Sequence, residues 1–193
     1  MRTLSLCLIT AATVATTAAC GVPSEDTPPE QIAAREASLS YSPPVLLKLQ
    51  HATSRVVGVA GHDRGDNVWQ ERQNSYRDID QRWQLVDLEN GYFAVRNVDT
   101  GWCLDVAGSS TANSANILQW TCYYTTNQQW QIQVNGSGYL LRARHSSKCL
   151  DVQGSSSSTG ANILQYTCYY TSNQRVKFIR TSGVVGSEYH PSI

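Results

Sequence analysis

From residue 45 onward, hydrophobic positions come in short runs separated by Gly, Ser, Asn and Asp. Residues 92–96, 102–106, 117–120 and 130–134 are apolar or alternate with a period of two. Runs of this length bounded by turn formers predict β-strands joined by tight turns, and no stretch after residue 45 carries the 3.6-residue period of a helix. Residues 20–45 differ. Pro23, Pro28, Pro29, Pro43 and Pro44 stand among Ser and Glu with few large apolar groups, the composition of a linker. One or two helical turns over residues 31–39 fit the pattern, but a helix that short is marginal alone.

The strand pattern repeats. Cys103-Leu104-Asp105-Val106 recurs as Cys149-Leu150-Asp151-Val152, and residues 115–125 recur as 161–171, each 46 positions on. Of the 26 positions from Cys103 to Gln128, 19 recur unchanged. A worn third copy precedes them, with Val56 to Gly61 aligning with Cys103 to Gly108 and Gln81-Arg82-Trp83 with Gln128-Gln129-Trp130, both at an offset of 47. Between those anchors the alignment is open, with Asn67 to Gln70 matching Asn116 to Gln119 after a small shift. Residues 46–180 therefore divide into units of about 46 residues, at 46–90, 91–137 and 138–180, followed by a tail at 181–193. A single unit of this size cannot bury its own apolar face, so the three must close together.

Charge narrows the function. The chain carries 15 basic and 15 acidic side chains, a zero balance that gives no footprint for nucleic acid or an anionic membrane surface. Its 5 Trp and 10 Tyr stand instead among many Ser, Thr, Asn, Gln and Gly, which suits polyol ligands and equally suits a polar β protein with none. The N-terminus reads as an export signal over residues 1–19. Arg2 is the only charge before Glu25, and an apolar stretch led by Leu4, Leu6, Leu8 and Ile9 ends in Ala18-Ala19-Cys20. Cleavage before Cys20 would leave a terminal cysteine for lipidation, as in a bacterial envelope lipoprotein, and would explain the odd thiol; an ordinary signal peptidase site nearby leaves a secreted protein. The remaining cysteines, Cys103, Cys122, Cys149 and Cys168, form two spacings of 19 and allow three connectivities.

Taken together, Cys-Leu-Asp-Val, a cysteine 19 residues later, an aromatic two residues before that cysteine and Asn-Gln-x-Trp soon after resemble the ricin B-type lectin family of carbohydrate-binding modules. The resemblance spans essentially all of the chain after the linker. It implies an all-β fold, a β-trefoil of twelve strands in three pseudo-symmetric repeats. It also implies that the cysteines of one unit pair, as Cys103–Cys122 and Cys149–Cys168, each worth about 3 kcal/mol in the chain-entropy model. The first unit has Val56 for one cysteine and Gln73 or Ser75 for the other, so both partners are missing together.

The family's sugar sites, one per unit, use an Asp that accepts hydrogen bonds from vicinal hydroxyls, an aromatic ring that stacks on the sugar's C–H face, and an Asn. Charge-assisted bonds to the carboxylate are the strong ones in such a set. Carried over by position, the second unit supplies Asp105, Trp120, Asn127 and Gln128, and the third Asp151, Tyr166, Asn173 and Gln174. In the first, Gly58 replaces the Asp and Glu71 or Gln73 the aromatic, so that site is expected to be dead. Two departures from the family stand out. Leu118 and Leu164 occupy positions where many members carry a sugar-binding Gln, which puts galactose in question, and the third unit ends Gln174-Arg175-Val176 without its Trp.

Plainer readings exist for the same residues. Asp105 and Asp151 could cap turns, Trp120 and Tyr166 could be cross-strand partners, and Gln128 and Gln174 could bond backbone. Trp83 and Trp130 read as core. Tyr123, Tyr124, Tyr169 and Tyr170 either widen the sugar platform or cover the disulfides. Arg64-Gly65-Asp66 spells an integrin-binding tripeptide and reads as a chance loop, while Asn135-Gly136-Ser137 fits a glycosylation sequon and, better, a hairpin turn. His51, His62, His145 and His190 lack zinc-ligand spacing, and no cofactor is implied. The expectation is a non-catalytic binder of galactose, N-acetylgalactosamine or xylan- or arabinan-like polysaccharide. The alternatives are a protein-binding trefoil scaffold and, less favoured, a hydrolase, which would need two carboxylates flanking one bond.

Overall fold

The computed structural model describes residues 28–36, 39–74 and 78–193. The signal segment, Cys20 and the start of the linker lie outside these residues. One helix, α1 (Pro29–Glu36), and a short strand, β1 (Ser40–Tyr41), precede the repeats. The first repeat holds β2 (Val45–Leu49), β3 (Arg55–Val59), β4 (Val68–Arg72) and β5 (Trp83–Asp87). The second holds β6 (Phe93–Asn97), β7 (Cys103–Val106), β8 (Ala115–Trp120) and β9 (Trp130–Asn135). The third holds β10 (Gly138–Ala143), β11 (Cys149–Val152), β12 (Ile163–Tyr166) and β13 (Val176–Arg180), and β14 (Glu188–Tyr189) follows.

This is the expected β-trefoil. The outer strands of each repeat close a six-stranded antiparallel barrel in the cyclic order β2, β5, β6, β9, β10, β13, with β13 returning to β2. The inner strands form three hairpins, β3–β4, β7–β8 and β11–β12, which cap one end of the barrel. Closure leaves the barrel without a full-length open edge of the kind that invites aggregation. The hairpins meet around the pseudo-threefold axis, where Asn116 Nδ2 donates to Asn67 Oδ1 and Asn67 Nδ2 to Asn162 Oδ1, both at 2.9 Å.

The register resolves the worn repeat. Val56 pairs with Glu71 as Cys103 pairs with Trp120, and Gly58 pairs with Trp69 as Asp105 pairs with Leu118. The first hairpin is thus two residues shorter than the second, and the segment from Glu71 to Gln81 is two residues longer than its counterpart. That compensation restores the 47-residue offset at Gln81.

Alternating residues of the barrel strands meet inside. Trp83 and Trp130 are fully buried, and their indole N–H groups donate to Val57 O (2.9 Å) and Leu104 O (3.3 Å). Val176 takes the third equivalent place, packed into the same core as Phe178, on which Tyr139 packs with ring centroids 5.2 Å apart. Both disulfides form within their repeats, Cys103–Cys122 and Cys149–Cys168, with Cα atoms 5.1 Å apart.

The flanks contribute more than their composition suggested. Ser40 and Tyr41 pair with Asp87 and Val86, inside the expected linker, and Glu188 and Tyr189 of the expected tail pair with Ile179 and Phe178. Both additions are two-residue strands that satisfy barrel backbone groups left open by the repeats, and two residues are too few to show a period in sequence.

Candidate functional site

Each hairpin carries its site residues on facing strands. In the second repeat, Asp105 of β7 and Trp120 of β8 border an open depression of about 550 Å³, together with Asn127 and the turn at Ala107 to Ser109. Tyr123, Leu118 and Thr125 complete its wall. In the third repeat, Asp151, Tyr166 and Asn173 border a smaller depression of about 360 Å³, with Gln153 to Ser155, Tyr169, Leu164 and Ser114. The two triads named from sequence are therefore brought together, each in its own depression.

Gln128 and Gln174 belong under the sites rather than in them. Both are buried, and neither lines a depression. Gln128 Nε2 donates to Asp105 Oδ2 and to Thr121 O, both at 2.8 Å, while its Oε1 accepts from Tyr124 N. Gln174 repeats this with Asp151 Oδ2 and Thr167 O, again at 2.8 Å, and its Oε1 accepts from Tyr169 and Tyr170 N. Of the two readings of these glutamines, sugar contact and bonding to backbone, the geometry fits the second: each amide reaches backbone and also holds its carboxylate from beneath the depression.

The aspartates sit at the floor, 6% and 8% exposed. Asp151 Oδ1 also accepts from Asn173 Nδ2 at 3.0 Å, and that amide reaches Val152 O. A carboxylate offers about four acceptor positions, so two such bonds leave it able to take further donors from the depression. Burial pushes the Asp151 carboxyl above its ordinary value, against the opposing effects of the Gln174 and Asn173 bonds and nearby His51. Asn127 is held by Val106 O and by the Thr125 hydroxyl, which donates to Asn127 Oδ1 at 2.6 Å.

The rings are braced by the preceding repeat. Arg64 lies over the Trp120 ring, its guanidinium carbon 4.6 Å from the centroid. Gly65 N donates to Gln119 O (2.8 Å), and Gln119 N donates to Asp66 O (3.0 Å). Gly65 has φ +97°, and a Cβ there would stand 3.2 Å from Trp120 Cζ3. The Arg-Gly-Asp tripeptide thus packs against Trp120 and its strand without bordering the depression itself. Beside Tyr166, Ser114 N donates to Gln165 O and Asn113 Oδ1 accepts from Thr167 N.

Sequence reasoning overlooked the glutamine preceding each ring position. Gln119 Nε2 donates to Gly61 O and Asp63 O, Gln165 Nε2 to Ser110 O and Ala112 O, and Gln70 Nε2 to Ser156 O and Ser158 O. Each is fully buried and ties one repeat's hairpin to the loop of the preceding one. Their recurrence in all three units was the available signal. The paired tyrosines divide: Tyr123 and Tyr169 line depressions, Tyr124 is buried against the Cys103–Cys122 disulfide, and Tyr170 is exposed.

In the first repeat the same geometry is filled in. Glu71 stands where the ring would be and turns its carboxylate into the space above Gly58, where a Cβ would come within 2.7 Å of Glu71 Cδ. Gln81 Nε2 donates to Glu71 Oε2 at 2.7 Å, and the Trp69 indole N–H donates to the other oxygen.

The chain matches the family model described as ricin-type β-trefoil lectin domain-like, over residues 49–120 and 79–166, together more than half of its length. No curated protein sequence matches it. Among solved structures it is similar to the designed threefold-symmetric protein ThreeFoil, at 36% identity and a TM-score of 0.67, covering 70% of this chain and 96% of that one. It is similar to part of an exo-β-1,3-galactanase, 1,3Gal43A, from Clostridium thermocellum, at 28% identity and a TM-score of 0.68, covering 72% of this chain and 30% of that one. The Rhizoctonia solani agglutinin shares the fold, at 20% identity and a TM-score of 0.64, covering 72% and 95%.

Proposed function

This chain belongs to the ricin-type β-trefoil lectin-like family, and from that premise we propose that it binds carbohydrate without catalysis, through one site in the second repeat and one in the third. The observation that carries this reading is the paired occurrence of a carboxylate, a ring and an amide around an open depression in those two repeats, set against their absence from the first. A floor carboxylate accepts two sugar hydroxyls, the asparagine beside it offers its amide oxygen as a further acceptor, and the ring covers the sugar's C–H face. Neither depression is deep, so each site alone should bind with a dissociation constant on the order of 0.1–1 mM, about −4 to −5.5 kcal/mol. Two sites on one rigid body raise avidity on a repetitive polysaccharide without new contacts.

The two disulfides support export to an oxidising compartment. A lipid on Cys20 would display the lectin on the cell envelope, and the mass of the native N-terminus tests that.

Galactose, N-acetylgalactosamine, arabinan, xylan and β-1,3-galactan are the ligands to screen, the last because of the galactanase likeness. Binding to at least one of them, lost in Asp105→Ala plus Asp151→Ala and retained in part by each single variant, supports the reading. Full binding by the double variant overturns it, and a protein partner retained by that variant would favour the scaffold.

A further inference from the structure

A second kind of site lies on the barrel. Lys48 of β2 and Lys177 of β13 are direct cross-strand partners, an arrangement of like charges that destabilises a sheet. Both border a pocket of about 400 Å³. Its one acidic residue, Glu188, is bound to Lys177, Nζ to Oε1 at 2.5 Å. Among the described residues, Lys48 has no ion-pair partner. The pocket therefore holds one surplus cation in a chain whose formal net charge is zero.

The rest of the wall is uncharged, with Leu49 among its apolar residues. Gln50, Thr53 and Ser137 border the pocket, and Gln50 Nε2 reaches Ser137 Oγ at 3.4 Å. Gln50 can lie across the β9–β10 turn because residue 138 is glycine, where any Cβ would meet the Gln50 amide and stand 2.8 Å from Val176 O. Ile179 adds an apolar patch.

We propose that Lys48 and Lys177 form a binding site for a carboxylate-bearing sugar, a uronic acid residue. The ammonium groups take the carboxylate by charge-assisted bonds, and the amide and hydroxyls opposite take ring hydroxyls. Two lysines are too few for a nucleic acid or a membrane surface, whose binding needs an extended basic face. This inference goes beyond the lectin reading, since the pocket shares no residue with either hairpin depression.

The test is an NMR titration of the ¹⁵N-labelled chain with methyl β-glucuronide, with methyl β-glucoside and sodium acetate at matched ionic strength as controls. The glucuronide should shift the backbone amides of Lys48, Gln50 and Lys177 progressively, and both controls should do so far less. Lys48→Met should weaken this response about tenfold, the loss of one charge-assisted bond, and Lys48→Arg should keep most of it. Glu188→Gln, which removes the competing carboxylate, should strengthen it, and Asp105→Ala plus Asp151→Ala should leave it unchanged. An equal response to glucoside or acetate, no response at these amides, or an unaltered response in Lys48→Met overturns the proposal while leaving the hairpin sites untouched.

Discussion

Gln81 donates to Glu71 across 2.7 Å, the bond that Gln128 makes to Asp105 and Gln174 to Asp151 at 2.8 Å, although Glu71 stands on the opposite strand of its hairpin. The first repeat has lost the outward-facing set of ring, aspartate and asparagine yet kept a carboxylate for its buried amide. Gln81 Nε2 also donates to Arg72 O at 3.0 Å, so the carboxylate serves its second hydrogen, and leaving that buried donor unmet would cost about 1–3 kcal/mol. The aspartates of the other two repeats therefore serve the fold whatever they do at the proposed sites.

Restoring aspartate in the first repeat should fail unless Glu71 goes with it. Gly58→Asp alone places a side chain against the Glu71 carboxylate and should destabilise by about 1–3 kcal/mol. Gly58→Asp with Glu71→Ala relieves the crowding and resupplies the acceptor for Gln81. In urea titrations the double variant should lose at least about 1 kcal/mol less than the sum of the singles.

Gln128→Leu should lower stability by about 2–4 kcal/mol, because it strips bonds from Tyr124 N, Thr121 O and Asp105 inside the structure. With the Asp105 rotamer released, affinity at the second site should fall about tenfold. The third site, read in the same titration, should hold its affinity.

Gly65→Ala tests the brace on Trp120. The backbone there lies at φ +97°, a conformation that disfavours any Cβ by about 1–2 kcal/mol, and the methyl would press on the indole. Thermal stability should fall, the Trp120 indole resonance should move, and sugar binding should weaken at the second site only.

The third site should have an acid limb. Its working form is the ionised Asp151, whose folded value is raised above the ordinary 3.8. Binding should be complete above that raised value and disappear as pH falls through it, sooner than an unperturbed aspartate would allow. Stability runs the other way: folding favours the protonated form, so this residue's contribution is largest below the ordinary value and declines as pH rises through the folded one. Sugar titrations across pH in an Asp105→Ala background measure the first effect. Asp151→Asn, which cannot titrate, should abolish the stability trend in parallel denaturation series.

Repeat length was legible in the chain because internal repetition copies each residue together with its structural role, while the trefoil, both disulfide pairings and the make-up of the two triads came from the resemblance to the lectin family. Cys103 and Asp105 needed no coordinates to be matched with Cys149 and Asp151, since 46 residues separate both pairs. Three-dimensional structure decided what repetition leaves open. It placed Gln128 beneath Asp105 rather than beside a ligand, set Arg64 over Trp120, and aligned Glu71 with the ring position. Those relations join residues on different strands or in different repeats, and one-dimensional spacing does not report which side chain lies behind another. The two-residue strands at Ser40–Tyr41 and Glu188–Tyr189 belong to the same class, since backbone groups exposed by a closed barrel recruited them and no pattern of their own did.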